Sequence, residues 1–241
     1  MPINVQQYFL SKTSFVCSSE EYWIILNAED DQYSCVSRTD IASVSPWIHG
    51  LARECSLPDD LRSHPKAYQL IDALLANGVL TPKQDNGKPF AVSEIESPLA
   101  ELLASPTNKL GIRAAKHLPM FLVSCNRMDR ALRKQPLIDT LQRSQARRIR
   151  HNAQLPPFEF NSARLLIESF YQLRPLYPRP YLCLFDSLAL LEFLACQGHF
   201  PRLIFGVRAD PFSAHCWIQA GNVVLNDNLE RVRAHTPIMS N

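Results

Sequence analysis

Two prolines, Pro178 and Pro180, stand just ahead of the most apolar run of the sequence and limit where its helix can begin. Proline has no backbone N–H and clashes with the preceding turn, so a helix here has to start after it. Beyond them Leu184, Leu188, Leu191 and Ala195 recur at i, i+4, i+7 and i+11, the spacing of one helical face, and Gly198 is suited to end the helix. Cys183 therefore falls in or beside the first turn. A thiol there meets the positive end of the helix dipole and unpaired amides, both of which favour the thiolate. The position also suits a small core residue, which most free cysteines are.

The residues downstream sharpen this reading. Residues 202–208 read as a strand, and residues 214–219 and 223–226 as two more joined by Ala220-Gly221-Asn222. A three-residue loop makes an antiparallel hairpin. Centred on Gly221, it pairs Gln219 with Val223, Trp217 with Leu225 and His215 with Asp227, and opposed residues lie ~5 Å apart on one face. A loop of two or four residues instead sets His215 opposite Asn228. With Asp227 on one ring nitrogen, the other nitrogen of His215 is left to take a thiol proton, and a thiolate–imidazolium pair is an activated nucleophile. The competing reading is a buried histidine satisfied by an aspartate with no thiol involved. Cys216 is expected on the opposite strand face, which makes it a poor nucleophile, and His151, His199 and His235 have no such arrangement. The paired short-range ligand spacing of a zinc site is absent, so no metal is expected.

The formal net charge of +2 over 241 residues hides a partition. Residues 1–111 carry 8 basic against 14 acidic side chains, residues 112–150 carry 10 against 2, and residues 151–241 carry 7 against 7. In the acidic part, residues 22–27 and 32–36 flank Ala-Glu-Asp-Asp and read as a β-hairpin. Residues 5–10 are a candidate third strand. Thr39-Asp40 is a candidate cap for a helix over 41–48, and residues 65–77 form the clearest helix, stopped by Asn77-Gly78. This pattern predicts a small winged-helix-like α+β module over residues 1–85, with residues 86–111 as a linker after the polar stretch 84–89. The basic part reads as one or two amphipathic helices broken near Pro136. It opens a domain spanning 112–241 and reads first as a solvated face packed on the catalytic part; a basic helical stretch also suits a membrane surface, an acidic peptide or nucleic acid, the last disfavoured because no aromatic platform is interleaved, and its role is left open. An odd count of seven cysteines excludes complete disulfide pairing, and neither an export signal nor a membrane span is visible. These features predict a cytoplasmic chain with reduced thiols. No cofactor signature is evident, and a nucleotide requirement is left open.

In order, Cys183, Leu203-Ile-Phe-Gly-Val-Arg208, Pro211-Phe212, His215-x-Trp217 and Leu225-Asn-Asp227 resemble the B proteins of lasso-peptide biosynthesis, over roughly residues 160–235. These are transglutaminase-like cysteine peptidases that remove the leader of a ribosomally made precursor before a partner cyclase closes a macrolactam ring. The resemblance implies an α+β chain with a transglutaminase- or papain-like peptidase domain. Cys183 would be the nucleophile, His215 the general base and then acid, and Asp227 the group that orients it. It also implies a fused leader-recognition element at the N-terminus, with the leader adding as a strand beside Tyr33, Ser34, Cys35 and Val36, near Tyr68, Asp72 and Leu75. Its partners would be the precursor and an asparagine-synthetase-like cyclase. Two other readings stand beside it: an acyl-transfer enzyme using the same triad, and a catalytically inactive peptide-binding adaptor.

Overall fold

A computed structural model describes residues 7–51, 61–102, 111–152 and 158–241, and the chain divides into two compact units, residues 1–94 and 95–241. Both mix helices and strands, which makes the chain α+β, with the N-terminal sheets in a module of their own.

In the first unit, β1 (Phe9–Ser11) pairs antiparallel with β5 (Leu80–Thr81) on one side and β6 (Gly87–Lys88) on the other. A second sheet is the antiparallel meander β2 (Ser14–Ser18), β3 (Tyr22–Asn27) and β4 (Gln32–Ser37), in which β4 is an edge. The expected hairpin is therefore present as β3–β4, while β2 went unread because its run of Ser-Phe-Val-Cys-Ser is short and carries no flanking turn signal beyond Lys12-Thr13. The Asn27 side chain closes the turn: it accepts from the Glu29 amide at 3.1 Å and donates to the Asp30 carboxylate at 2.9 Å and to the Asn77 carbonyl at 3.0 Å. That last bond ties the hairpin to the end of α2 (Pro65–Ala76), after which Gly78 takes a positive φ of 65°.

Helix α1 (Arg38–Val44) starts earlier than expected, because the Ser37 hydroxyl, rather than Thr39 or Asp40, accepts from the Asp40 amide at 3.0 Å. It also stops earlier, since Pro46 turns the chain into a 3₁₀ segment over Ser45–Trp47. Leu10, Val16, Ile25, Ile41, Trp47 and Ile71 are among the buried residues of this unit's core. The stretch expected to begin a linker at residue 86 instead continues the module. Gly87 and Lys88 form β6, and Phe90 is buried with its ring edge-on to Trp23 at 5.2 Å. Polar residues hid this, because a two-residue strand draws on main-chain bonds and needs no apolar pattern. The expected strand over residues 5–10 begins at Phe9, with Val5 and Gln6 outside the described residues. Residues 103–110 of the expected linker are likewise outside them.

The second unit is a five-stranded sheet in the order β11 (Thr236–Ser240), β8 (Arg202–Arg208), β9 (Ser213–Ala220), β10 (Val223–Val224), β7 (Ala100–Glu101), antiparallel except for the last pair. Around it lie α3 (Ile112–Ala115), α4 (Leu118–Lys134), α5 (Leu137–Asn152), α6 (Phe160–Leu173), α7 (Cys183–Ala195) and the short α8 (Leu229–Arg233). The break expected near Pro136 separates α4 from α5. α7 packs on β9, and α4 and α6 pack on α7. Sandwiched in this way, α7 is buried on every side from Ser187 to Leu194 rather than along one face, the burial expected of a helix that is apolar all round.

Gly206 in β8 is set by packing. A Cβ there would lie 2.7 Å from two ring atoms of the buried Trp217 and 3.0 Å from the His235 Cβ. Gly206→Ala is expected to cost about 1–3 kcal/mol through overpacking, measured by urea denaturation, and a variant as stable as the parent would refute this account of the glycine.

Candidate active site

The site is assembled by the first turn of α7, the middle of β9 and the turn that follows β10. Cys183 is the first residue of α7, and its backbone N–H is one of the amides that no carbonyl within the helix can accept. Its position is fixed from behind by Arg174, whose side chain is 1 % exposed. The Arg174 guanidinium pairs through Nε with Asp186 and donates to the carbonyls of Tyr177 at 3.2 Å, Arg179 at 3.0 Å and Pro180 at 3.1 Å. Asp186 in turn accepts from the Leu182 amide at 3.0 Å, and its own amide donates to the Leu182 carbonyl at 2.9 Å. The rings of Tyr181 and Phe185 lie against the same guanidinium. The proline-rich approach to Cys183 and the first turn of α7 are thus bound to one buried cation.

His215 Nε2 is 2.5 Å from Asp227 Oδ2, which leaves Nδ1 for the thiol. The expected hairpin register is not the one formed. Val223 pairs with Ala220 and Val224 with Gln219, a two-residue loop of Gly221-Asn222 with Gly221 at a φ of 55°. In that register Asp227 is not the cross-strand partner of His215. The ladder ends instead after the Leu225 amide bonds the Ile218 carbonyl at 2.8 Å, because the Asn226 side chain takes the Ile218 amide at 2.6 Å. Asn226 also donates to Ser187 Oγ at 2.9 Å, and its carbonyl accepts from the Tyr171 hydroxyl at 2.9 Å. Burial, with the Asp186 and Asp227 carboxylates adding to it, pushes the Tyr171 phenol well up, so it stays a donor. Held this way, the chain leaves the sheet and brings Asp227 round to His215, with the Asn228 amide donating to Asp227 Oδ1 at 2.7 Å.

The thiol and the imidazole polarise one another. Cys183 is lowered to about 4, chiefly by hydrogen bonds from the Cys216 thiol and the His215 ring, which outweigh burial; the Cys216 amide adds a further donor. His215 is raised to about 9 by Asp227 first and Cys183 second. Burial opposes ionisation of Asp227, but the hydrogen bonds from His215 and the Asn228 amide outweigh it and hold the carboxyl below its usual range. Cys216 does not turn away from the site as expected. It reaches Cys183, because α7 packs across β9 with Ser187 Oγ on the Cys216 carbonyl at 3.4 Å. Its bond to Cys183 and its burial push its own pKa well up, so it acts as a donor rather than a nucleophile.

Around this centre, Trp217 stacks on His215 with centroids 6.2 Å apart, and its indole N–H donates to Gln219 Oε1 at 3.0 Å. His235 lies 5.3 Å from His215, with Nδ1 bonded to the Arg231 carbonyl at 2.9 Å and Nε2 to Ser213 Oγ at 3.1 Å. His199 bonds Ser162 away from the triad. Among the described residues, no cluster of three or more metal-ligating side chains occurs, no helix is long and apolar enough to cross a membrane, and the six described cysteines are free. Cys55 is outside the described residues.

The structure thus brings Cys183, His215 and Asp227 together. Tyr33, Ser34, Cys35 and Val36 sit on the edge strand β4, while Tyr68 and Asp72 are exposed and Leu75 half-buried on α2. The sequence reading missed Arg174, Asp186, Ser187, Cys216 and Asn226. Asn226 beside Asp227 in a strand predicted to continue was a signal for the missed turn, since asparagine favours side-chain bonds to nearby backbone over a ladder.

The family model described as the transglutaminase-like superfamily matches residues 120–240, which contain the whole triad. No curated protein and no solved structure matches the chain.

Two measurements test the electrostatics. Between pH 5 and 8 the Cys183 thiolate should persist, so alkylation by iodoacetamide, followed on the Cys183 peptide by mass spectrometry, should change less than about twofold, where an ordinary thiol loses about tenfold per pH unit below its pKa. His215→Ala removes one of the groups holding that pKa down and should restore a rise of rate with pH across this range; a flat profile in that variant would remove His215 from the pair. Arg174→Met leaves the half-buried Asp186 carboxylate without its cation and three loop carbonyls without their donor, and should cost about 3–5 kcal/mol in urea denaturation.

Proposed function

The chain belongs to the transglutaminase-like superfamily, and from that premise we propose that it is a cysteine peptidase that removes the leader from a ribosomally made lasso-peptide precursor. The observation that carries the chemistry is the Cys183–His215–Asp227 arrangement, in which a thiol and an imidazole are held as an ion pair at neutral pH. In this reading the Cys183 thiolate attacks the carbonyl of the bond to be cut. The His215 imidazolium gives its proton to the departing amine, and neutral His215 then takes a proton from the water that releases the acyl-enzyme. The Cys183 backbone N–H faces the developing oxyanion. Below about pH 4 the thiolate takes up a proton, and above about pH 9 His215 has none to give, so cleavage should fall on both sides.

The leader is assigned to the first unit. β4 is an edge strand, and edge strands recruit extended peptides through main-chain hydrogen bonds while side-chain pockets give selectivity. Within that unit Val36 and Leu75 pack against the core and Tyr68 is 47 % exposed, whereas Ile71 is a core residue. A leader held there raises the local concentration of the cleavage site at Cys183, so contacts at the site itself need not be strong. An asparagine-synthetase-like cyclase would receive the freed core peptide.

The test uses precursors translated from short reading frames flanking the gene. Intact-mass measurement after incubation should find loss of an N-terminal fragment, and Cys183→Ala should bind the same precursor with unchanged affinity and release nothing. An added group instead of a lost fragment would convert the reading to acyl transfer, and unchanged cleavage by the variant would end it.

A further inference from the structure

Away from the triad, α4, α5 and the second half of α7 border a half-open cavity of about 620 Å³ that none of Cys183, His215 and Asp227 lines. Its floor is apolar, from Val123, Met128, Ala131, Leu188 and Leu191. Its walls carry Arg127, Arg130, Lys134, Arg143, Arg147 and Arg148 against a single carboxylate, Glu192, so six positive groups face one negative. Glu192, 8 % exposed, is shared by Arg127 and by Arg147, the latter at 2.8 Å. Arg130 and Lys134 have no carboxylate partner among the described residues. Arg148 donates from Nη2 to the Asn241 carbonyl at 3.0 Å, while its Nε is buried with no partner. The hydroxyl of Thr140, a residue only 6 % exposed that also lines the cavity, is unpartnered as well.

Such a cluster opposes its own folding. Like charges repel across the cavity, and buried donors without acceptors keep their desolvation cost. Burial and the nearby Arg202 charge already push the Arg148 pKa down. An anion offsets the repulsion, and guanidinium forks match the paired oxygens of phosphate better than they match a point charge. The shape selects further. A concave site of this volume is the size that encloses a small molecule, and its apolar floor calls for a ring or chain attached to the charged group. We propose that this cavity binds an organic phosphate, a small molecule in which one or more phosphate groups are joined to an apolar body. The phosphates lie among Arg130, Lys134 and Arg143, with the apolar body on Leu188 and Leu191. The proposal stands apart from the peptidase reading and does not depend on it.

Isothermal calorimetry on the full chain tests it with four probes: inorganic tripolyphosphate, adenosine triphosphate without added metal, farnesyl diphosphate and a deca-glutamate peptide. At least one of the two organic phosphates should bind about tenfold or more tightly than tripolyphosphate, and which one does so distinguishes an aromatic from an aliphatic body. Arg130→Gln combined with Lys134→Gln, both side chains without carboxylate partners to lose, should weaken that binding about tenfold or more without lowering the melting temperature, which relief of the repulsion can only raise, and with Cys183 alkylation unchanged. Tripolyphosphate binding as tightly as the organic phosphates would reduce the cavity to a counter-ion patch and overturn the proposal. Tighter binding of deca-glutamate would make it a docking site for acidic chains, and binding of none of the four, or binding indifferent to the double variant, would also overturn it.

Discussion

The position of the reactive thiol depends on a buried arginine. Arg174 spends its hydrogen bonds on one carboxylate, Asp186, and on three carbonyls of the loop before α7. An ion pair of this kind contributes little net stability over an apolar substitute, because desolvating both charges offsets their attraction. What it supplies is geometry: a guanidinium whose bonds are all directed admits one arrangement of the residues around it. The loop carbonyls of residues 177, 179 and 180 and the first turn of α7 are all referred to that one group, so Cys183 is placed by something more rigid than helix propensity.

From that anchor the chemistry is built by donors converging on sulfur. β9 contributes the Cys216 thiol and amide, and the His215 ring completes the set. A thiolate is stabilised by hydrogen bonds to its charged form, and His215 is stabilised as a cation by both Asp227 and the thiolate it faces. Two consecutive residues of one strand, His215 and Cys216, serve the same sulfur where α7 packs on β9. The Ser187–Asn226–Ile218 bonds keep that packing in register with the turn that carries Asp227.

What could be read from the sequence divides along a physical line. The helix start at Cys183 was legible because proline excludes the alternatives locally, and the β3–β4 hairpin because β-branched and aromatic residues flank an acidic turn. The meeting of His215 with Asp227 was legible in outcome but not in mechanism. A three-residue loop would have made them cross-strand partners; the loop has two residues, and a side chain, Asn226, ends the ladder so that the backbone can turn back. Such an ending is invisible to periodicity. Arg174 was invisible for a related reason: a buried arginine looks like any surface arginine until the carbonyls it collects come from a folded loop. The stretch around residues 87–90 was mistaken for a linker because strand pairing through main-chain atoms leaves no mark on side-chain pattern, and only Phe90 hinted at a core.

The charge partition acquires a structural meaning from the same reasoning. A run of ten basic residues against two acidic ones over residues 112–150 reads first as a solvated helix face, and part of it is otherwise engaged. Asp129 pairs with Arg133 at 2.9 Å and with Arg179 from the loop before α7, while Arg127 and Arg147 converge on Glu192 of α7 itself. The basic helices are therefore fastened electrostatically to the two elements that position Cys183. The carboxylates available for that fastening are fewer than the cations, and the surplus collects where α4 and α5 turn toward α7. A net charge near zero over the whole chain conceals this, because the compensating acidic residues lie in the first 111, in a different part of the sequence. Charge balance has to be counted over the surfaces that face one another, and counted that way the cavity between α4, α5 and α7 is left positive.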